Sequence, residues 1–97
     1  MKDIIDKFVV ENSRDMIINK SYYNCINEYV KQIEHLFWLE YEGEFKLYYE
    51  IESVAYEPKI ILEYIVKAKY NDKYESEFIL TFTEIEKKSY KVDVVIK

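Results

Sequence analysis

Glycine, proline, cysteine and arginine are almost missing from this chain of 97 residues, which has one of each. A single glycine leaves no flexible loop to cradle a phosphate, which argues against the common nucleotide-binding folds. A single cysteine, Cys25, rules out an intramolecular disulfide. Arg14 alone supplies the guanidinium fork that reads guanine edges or clamps phosphate. Uncharged runs are short as well. The longest, Ser21 to Asn27, falls far below the roughly 20 apolar residues that span a bilayer, so no transmembrane helix and no membrane partner are expected. Met1 to Val10 carries charges where a signal peptide places its apolar stretch, and the expected setting is cytoplasmic.

What the chain has is apolar and aromatic surface. Hydrophobic residues make up 49% and aromatics 18%, with 11 tyrosines, enough to offset the entropy of ordering one core. The length fits one α+β domain over residues 1–97. Lys and Arg total 14 against 19 Asp and Glu, a net charge of −5. That balance repels a phosphate backbone, so direct nucleic-acid binding is disfavoured. It suits a basic protein partner, and it also serves solubility.

Apolar residues at Tyr22, Ile26, Tyr29, Ile33 and Leu36 or Phe37, widened by Cys25 and Val30, predict an amphipathic helix with Ser21 as N-cap and His35 in the last turn. A less regular stripe of Ile5, Phe8, Val9, Met16 and Ile17 predicts a first helical segment over Lys2 to Ile18, with a break near Ser13. From Phe37 the period becomes two. Phe37, Leu39, Tyr41, Phe45, Leu47, Tyr49 and Ile51 alternate with charged residues, which predicts one long strand bent at Gly43.

Parity sets the remaining register. A loop at Asn71-Asp72-Lys73 pairs Tyr70 with Tyr74, Val66 with Phe78, Tyr64 with Leu80 and Leu62 with Phe82. A loop at Glu86-Lys87-Lys88 pairs Phe82 with Val92, Leu80 with Val94 and Phe78 with Ile96, with Glu77 reaching Lys97. Charge pairing sets Glu52, Glu44 and Glu42 against Lys59, Lys67 and Lys69, with Tyr49 opposite Leu62 and Pro58 in the loop. The expected fold is two N-terminal helical segments packed on a four-stranded antiparallel β-meander. The helices cover the face bearing Leu47, Tyr49, Leu62, Tyr64, Val66, Phe78, Leu80, Phe82, Val92, Val94 and Ile96. In outline this resembles the cystatin-like arrangement of helix and curved meander. The Gln-x-Val-x-Gly loop of true cystatins is absent, so the resemblance covers architecture and implies no activity.

Chemistry-bearing clusters are sparse. Cys25 and His35 lie ten residues apart, about 15 Å along a helix, too far to act as a nucleophile pair and too few to hold a metal. Glu40, Glu42 and Glu44, or Glu50 with Glu63, are carboxylate pairs on open strand faces, without the desolvated cleft that acid–base catalysis needs. No catalytic residue, cofactor or metal is expected, and the protein is read as a non-enzyme. The outward sheet face carries two features. Trp38, Glu40, Glu42, Glu44, Tyr48, Glu50 and Glu52 form an acidic, aromatic ladder able to imitate a phosphate backbone or to guard a sheet edge. Ile65, Ile79 and Val95 form an apolar stripe across three strands, a possible self-association surface unless a segment of the chain covers it.

These features together predict a small acidic binding protein that blocks a basic nucleic-acid-handling enzyme stoichiometrically. Its size, acidity and missing catalytic motif are similar to the profile of phage or mobile-element anti-defence proteins of the anti-CRISPR kind, a functional grouping without a shared motif here. Three alternatives stand beside it. They are an immunity or antitoxin protein neutralising a basic nuclease, a cone holding a small apolar ligand between Tyr29, Tyr49, Tyr64 and Phe82, and a homodimer joined through Ile65, Ile79 and Val95.

Overall fold

In the computed structural model, which describes residues 1–97, helix α1 spans Lys2–Ser13 and buries Ile5, Phe8 and Val9 at three- and four-residue steps. It ends where Arg14 turns extended and Asp15 takes a φ of 61°, a left-handed position that Asp tolerates because its short side chain bonds locally. The expected continuation to Ile18 is therefore corrected. Ile17–Ile18 form a short strand, β1, paired with Lys91 and Tyr90. The sheet gains a fifth strand.

A 3₁₀ turn at Tyr22–Asn24, with Ser21 as its N-cap residue, leads into helix α2, Cys25–Glu40. Cys25, Ile26, Tyr29, Ile33 and Phe37 are its buried stripe. The helix runs past Phe37, so Trp38, Leu39 and Glu40 lie in its last turn and not in a strand. Alternation through Phe37, Leu39 and Tyr41 is compatible with a strand, but burial shows the helical period. Phe37 is fully buried, whereas Leu39 is 64% exposed. His35 consequently sits more than a turn before the helix end, and the last turn holds no basic residue.

Four long strands follow: β2 Phe45–Ala55, β3 Ile61–Tyr70, β4 Lys73–Glu86 and β5 Ser89–Ile96. The fold is α+β, with two helices and a five-stranded antiparallel sheet in the order β1-β5-β4-β3-β2. The expected pairings Leu62↔Phe82, Tyr64↔Leu80, Val66↔Phe78 and Lys67↔Glu77 are present, as are Phe78↔Ile96, Leu80↔Val94 and Phe82↔Val92. Both hairpin turns are one residue shorter than expected: Lys87 and Lys88 alone join β4 to β5, with Glu86 in the strand opposite Ser89 and a bulge before Glu84↔Tyr90, and the β3–β4 turn differs in the same way. It has two residues, Asn71 and Asp72, both with positive φ, as a tight hairpin turn demands. Tyr70 then pairs with Lys73 and Lys69 with Tyr74, and a bulge restores the expected phase by Ala68↔Ser76.

The β2–β3 register is corrected by four residues. Tyr49 faces Val66 and Tyr48 faces Lys67, and Lys46 stands opposite Lys69. The expected Glu44–Lys67 and Glu42–Lys69 pairs do not form, because exposed ion pairs stabilise too little to set a register. Lys69 instead places its ammonium 5.8 Å from the Tyr48 ring and 5.0 Å from the Tyr74 ring. A bulge after Ile51 moves the apolar phase from odd to even residues, so that Val54 meets Leu62. Pro58 lies in the loop after β2, as the sequence indicates.

Both helices lie on one sheet face, α1 against β4 and β5, and α2 against the edge strands β2 and β1. Touching both edges, α2 crosses the sheet obliquely. Phe78, Leu80, Phe82, Val66, Tyr29 and Phe37 sit in the resulting core at 0% exposure. The Tyr29 and Ser13 hydroxyls share a buried hydrogen bond of 2.7 Å, and no buried side-chain nitrogen or oxygen lacks a partner. No helix is long and apolar enough to cross a membrane.

Candidate protein-binding site

The predicted acidic ladder does not lie on one strand, because its first half falls outside the sheet. Trp38 and Glu40 occupy the last turn of α2, and Glu42 and Glu44 the loop to β2. Tyr48 and Glu50 are on the outer face of β2, and Glu52 is the extra residue of the bulge. The structure thus divides the predicted set into a helix-end group and a β2 group. All seven side chains are exposed, Trp38 most visibly at 68%.

An aromatic cluster fixes the helix-end group from below. Phe37 stacks on Phe45 at 4.0 Å between centroids and meets Phe8 edge-on at 5.1 Å and Tyr41 at 4.8 Å. The loop backbone is tied to the β3–β4 turn. Glu44 N–H donates to Asn71 Oδ1 and Asn71 N–H donates to the Glu44 carbonyl, each at 2.8 Å, while the Tyr70 hydroxyl donates to the Glu42 carbonyl. Gly43 makes this approach possible. Its φ is +111°, and a Cβ there would lie 2.5 Å from the Tyr70 hydroxyl oxygen. The carboxylates of Glu40, Glu42 and Glu44 are displayed by a braced backbone at the negative end of a helix dipole, where acidic groups are unfavourable.

Between α2 and β2 runs a groove of about 690 Å³ lined by Lys31, Glu34, His35 and Trp38 on one side and Phe45 and Tyr49 on the other. Glu34 reaches across it, its carboxylate accepting the Leu47 N–H at 2.8 Å. The Tyr49 hydroxyl donates to Asn27 at 2.8 Å. Sequence reasoning missed this groove, because it arises where an oblique helix diverges from an edge strand. It also missed the exposed apolar run Tyr49, Ile51, Val54 and Tyr56; the only signal in the sequence was the odd-to-even phase change around Glu52.

The apolar stripe is aligned as expected, with Ile65↔Ile79 and Ile79↔Val95 paired, and no helix covers it. Ile65 and Ile79 are half-buried by neighbouring side chains, while Val95 is exposed. Tyr49, Tyr64, Phe82 and Tyr29 meet edge-on in succession, at 6.0, 5.8 and 6.0 Å between centroids, so the space between them is filled by their own rings. Glu63 is half-buried on the outer face of β3, opposite Ser53 and Thr81, and does not pair with Glu50.

Burial or pairing perturbs six titratable groups. Cys25 is buried at the start of α2 with Sγ 3.5 Å from the Ser21 carbonyl, and burial pushes its thiol up to about 11. Burial likewise raises the Tyr29, Tyr64 and Tyr90 phenols. A 2.8 Å ion pair holds the Glu77 carboxyl below its usual range and the Lys97 ammonium above its own. No three His, Cys, Asp or Glu side chains converge in a way that would hold a metal ion. Compared with family models, curated proteins and solved structures, the chain matches none.

Proposed function

We propose that the protein acts by stoichiometric binding, without catalysis, to a basic protein partner. The partner class that best fits the chemistry is a nucleic-acid-handling enzyme whose cationic cleft is blocked, as an anti-defence protein of the anti-CRISPR kind would do in the cytoplasm. One observation carries this reading. Glu40, Glu42 and Glu44 crowd the unneutralised C-terminal end of α2 beside exposed Trp38 and Leu39. That arrangement raises local electrostatic self-energy in the free protein and is relieved by a cationic surface. An aromatic anchor ringed by carboxylates is also how a hot spot meets a basic pocket. An immunity protein against a basic nuclease uses the same physics, and the nature of the partner separates the two. The cystatin-like outline is likewise proposed, supported by helices that precede an antiparallel meander.

The test is capture of partners from the native host lysate by tagged wild type and by E40K/E42K/E44K. The fold of both is checked by circular dichroism. Expected is a basic nucleic-acid enzyme, retained at low salt, weakened at high salt and lost at least about tenfold on charge reversal. Equal retention by the folded triple variant overturns the reading.

A further inference from the structure

The edge strand of a sheet presents unpaired backbone groups, and proteins usually blunt or cover it. β1 covers the start of the β5 edge, but no strand covers β2. Which β2 groups face outward is set by one hydrogen bond. The Leu47 N–H donates to Glu34 and not to β3, so by antiparallel alternation the odd residues Phe45, Leu47, Tyr49 and Ile51 point their N–H and C=O away from the sheet. Outside the regular ladders, neither Tyr49 nor Ile51 makes a backbone hydrogen bond. Glu34 therefore stands where a strand carbonyl would stand.

We propose that the groove between α2 and β2 accepts an extended segment of the basic partner as an added strand. Its carbonyl replaces Glu34 at the Leu47 N–H, and a cationic side chain on its outer face pairs with Glu50. The inference rests on the basic-partner reading above and specifies how that partner is held. Main-chain bonds to an open edge supply affinity, and alternate side-chain positions supply specificity. On the helix side, the incoming side chains meet Trp38 and Tyr49, which selects apolar residues. On the other side they meet Lys46, Tyr48 and Glu50, so that a Lys or Arg is selected opposite Glu50 and a neutral residue opposite Lys46. The occupant is thus a segment with apolar residues at alternate positions and a basic residue opposite Glu50.

A second copy of this chain fits the edge poorly. Each copy carries −5, and an antiparallel pair centred on Glu50 or Ile51 sets Glu50 against Glu50 or Glu52. Centring on Tyr48 sets Lys46 against Glu50 in both directions, but that register, like the one centred on Tyr49, displaces both Glu34 carboxylates from the Leu47 N–H groups into an interface between two acidic chains.

The probe is a labelled synthetic peptide of about eight residues alternating Lys and Val, with versions N-methylated at alternate residues in both phases, which keep the charge but block strand pairing from one side. Binding is read by fluorescence anisotropy and by amide shifts in the protein. Expected is binding that perturbs Phe45 to Ile51 and Asn27 to Trp38, weakened about tenfold or more by one N-methyl phase. Tyr49→Pro, which removes an outward N–H and leaves the β3 ladder intact, gives the same loss relative to Tyr49→Ala, which lacks the ring and its Asn27 hydrogen bond but keeps that N–H. Equal binding by all peptides overturns strand addition and leaves charge attraction alone. No peptide binding, with partner capture still sensitive to E40K/E42K/E44K, overturns the groove while the basic-partner reading stands. Concentration-dependent dimerisation that Tyr49→Pro abolishes assigns the edge to a second copy and also overturns it.

Discussion

The middle of the sheet and its β2 edge are built from the same kinds of residue yet live in different solvents. Along β4, Ser76, Phe78, Leu80 and Phe82 are buried without interruption; along β2, burial stops after Leu47, and every residue from Tyr48 to Ala55 is exposed. Helix geometry explains the difference. α2 is about 24 Å long at 1.5 Å per residue, whereas the 14 residues of β4 extend more than about 40 Å. A helix that short, crossing obliquely, cannot cover the whole face. The lesson is that alternation records which side of a strand is apolar, while burial depends on where the helix lies.

The largest expected effect sharpens that contrast. Phe82→Ala empties a fully buried site and costs about 3–5 kcal/mol; Ile51→Ala, of the same sheet face but half exposed, costs under about 0.5 kcal/mol. Urea unfolding of both variants measures the difference, and comparable losses would mean that the β2 edge is covered in solution. Next is Gly43→Ala, which forces a side chain into a positive-φ site against the Tyr70 ring and costs about 2 kcal/mol. Tyr29→Phe strands the Ser13 hydroxyl in the core and costs about 1–2 kcal/mol, with unchanged circular dichroism.

Two titrations give smaller effects. Cys25, Tyr29, Tyr64 and Tyr90 all have folded pKa values above their ordinary ones. The Cys25 contribution is therefore whole below its ordinary value of 9.0 and is lost as pH rises through about 11, and the raised tyrosines extend the loss to higher pH. The melting temperature falls over that window, and Cys25 resists thiol reagents until the chain unfolds. Smallest is the exposed Glu77–Lys97 pair. The depressed Glu77 carboxyl adds stability above its ordinary range, lost as pH falls through the folded value. Carbon NMR shows that titration, while Glu77→Gln scarcely moves the melting temperature.

The sequence carried the β3–β4–β5 registers because apolar alternation in each strand, such as Leu62, Tyr64 and Val66 against Phe78, Leu80 and Phe82, tolerates no odd slip. It misplaced β2 by four residues, a shift that preserves parity and which charge pairing is too weak to decide. Trp38 to Glu44 looked like a strand because a short alternating run also fits a helix turn and a loop. The exposure of these residues was legible, while Trp38, Glu40, Glu42 and Glu44 were assigned to a strand that they do not form. Glu34 and the groove depend on the crossing of α2 over the sheet, a long-range fact with no local signature.

The pairing of β1 with Lys91 and Tyr90 also has a bearing on biosynthesis. The Asp6–Ser76 and Asn19–Ser89 hydrogen bonds each join residues 70 positions apart. The first helix and the short strand after it therefore leave the ribosome long before the strands that shelter them exist. Until Tyr90 has been translated, Ile5, Phe8, Val9 and Ile18 lack the strands they pack against, and only the hairpins between neighbouring strands can close promptly. The first helix and β1 are therefore completed only through contacts with strands that follow them by some seventy residues.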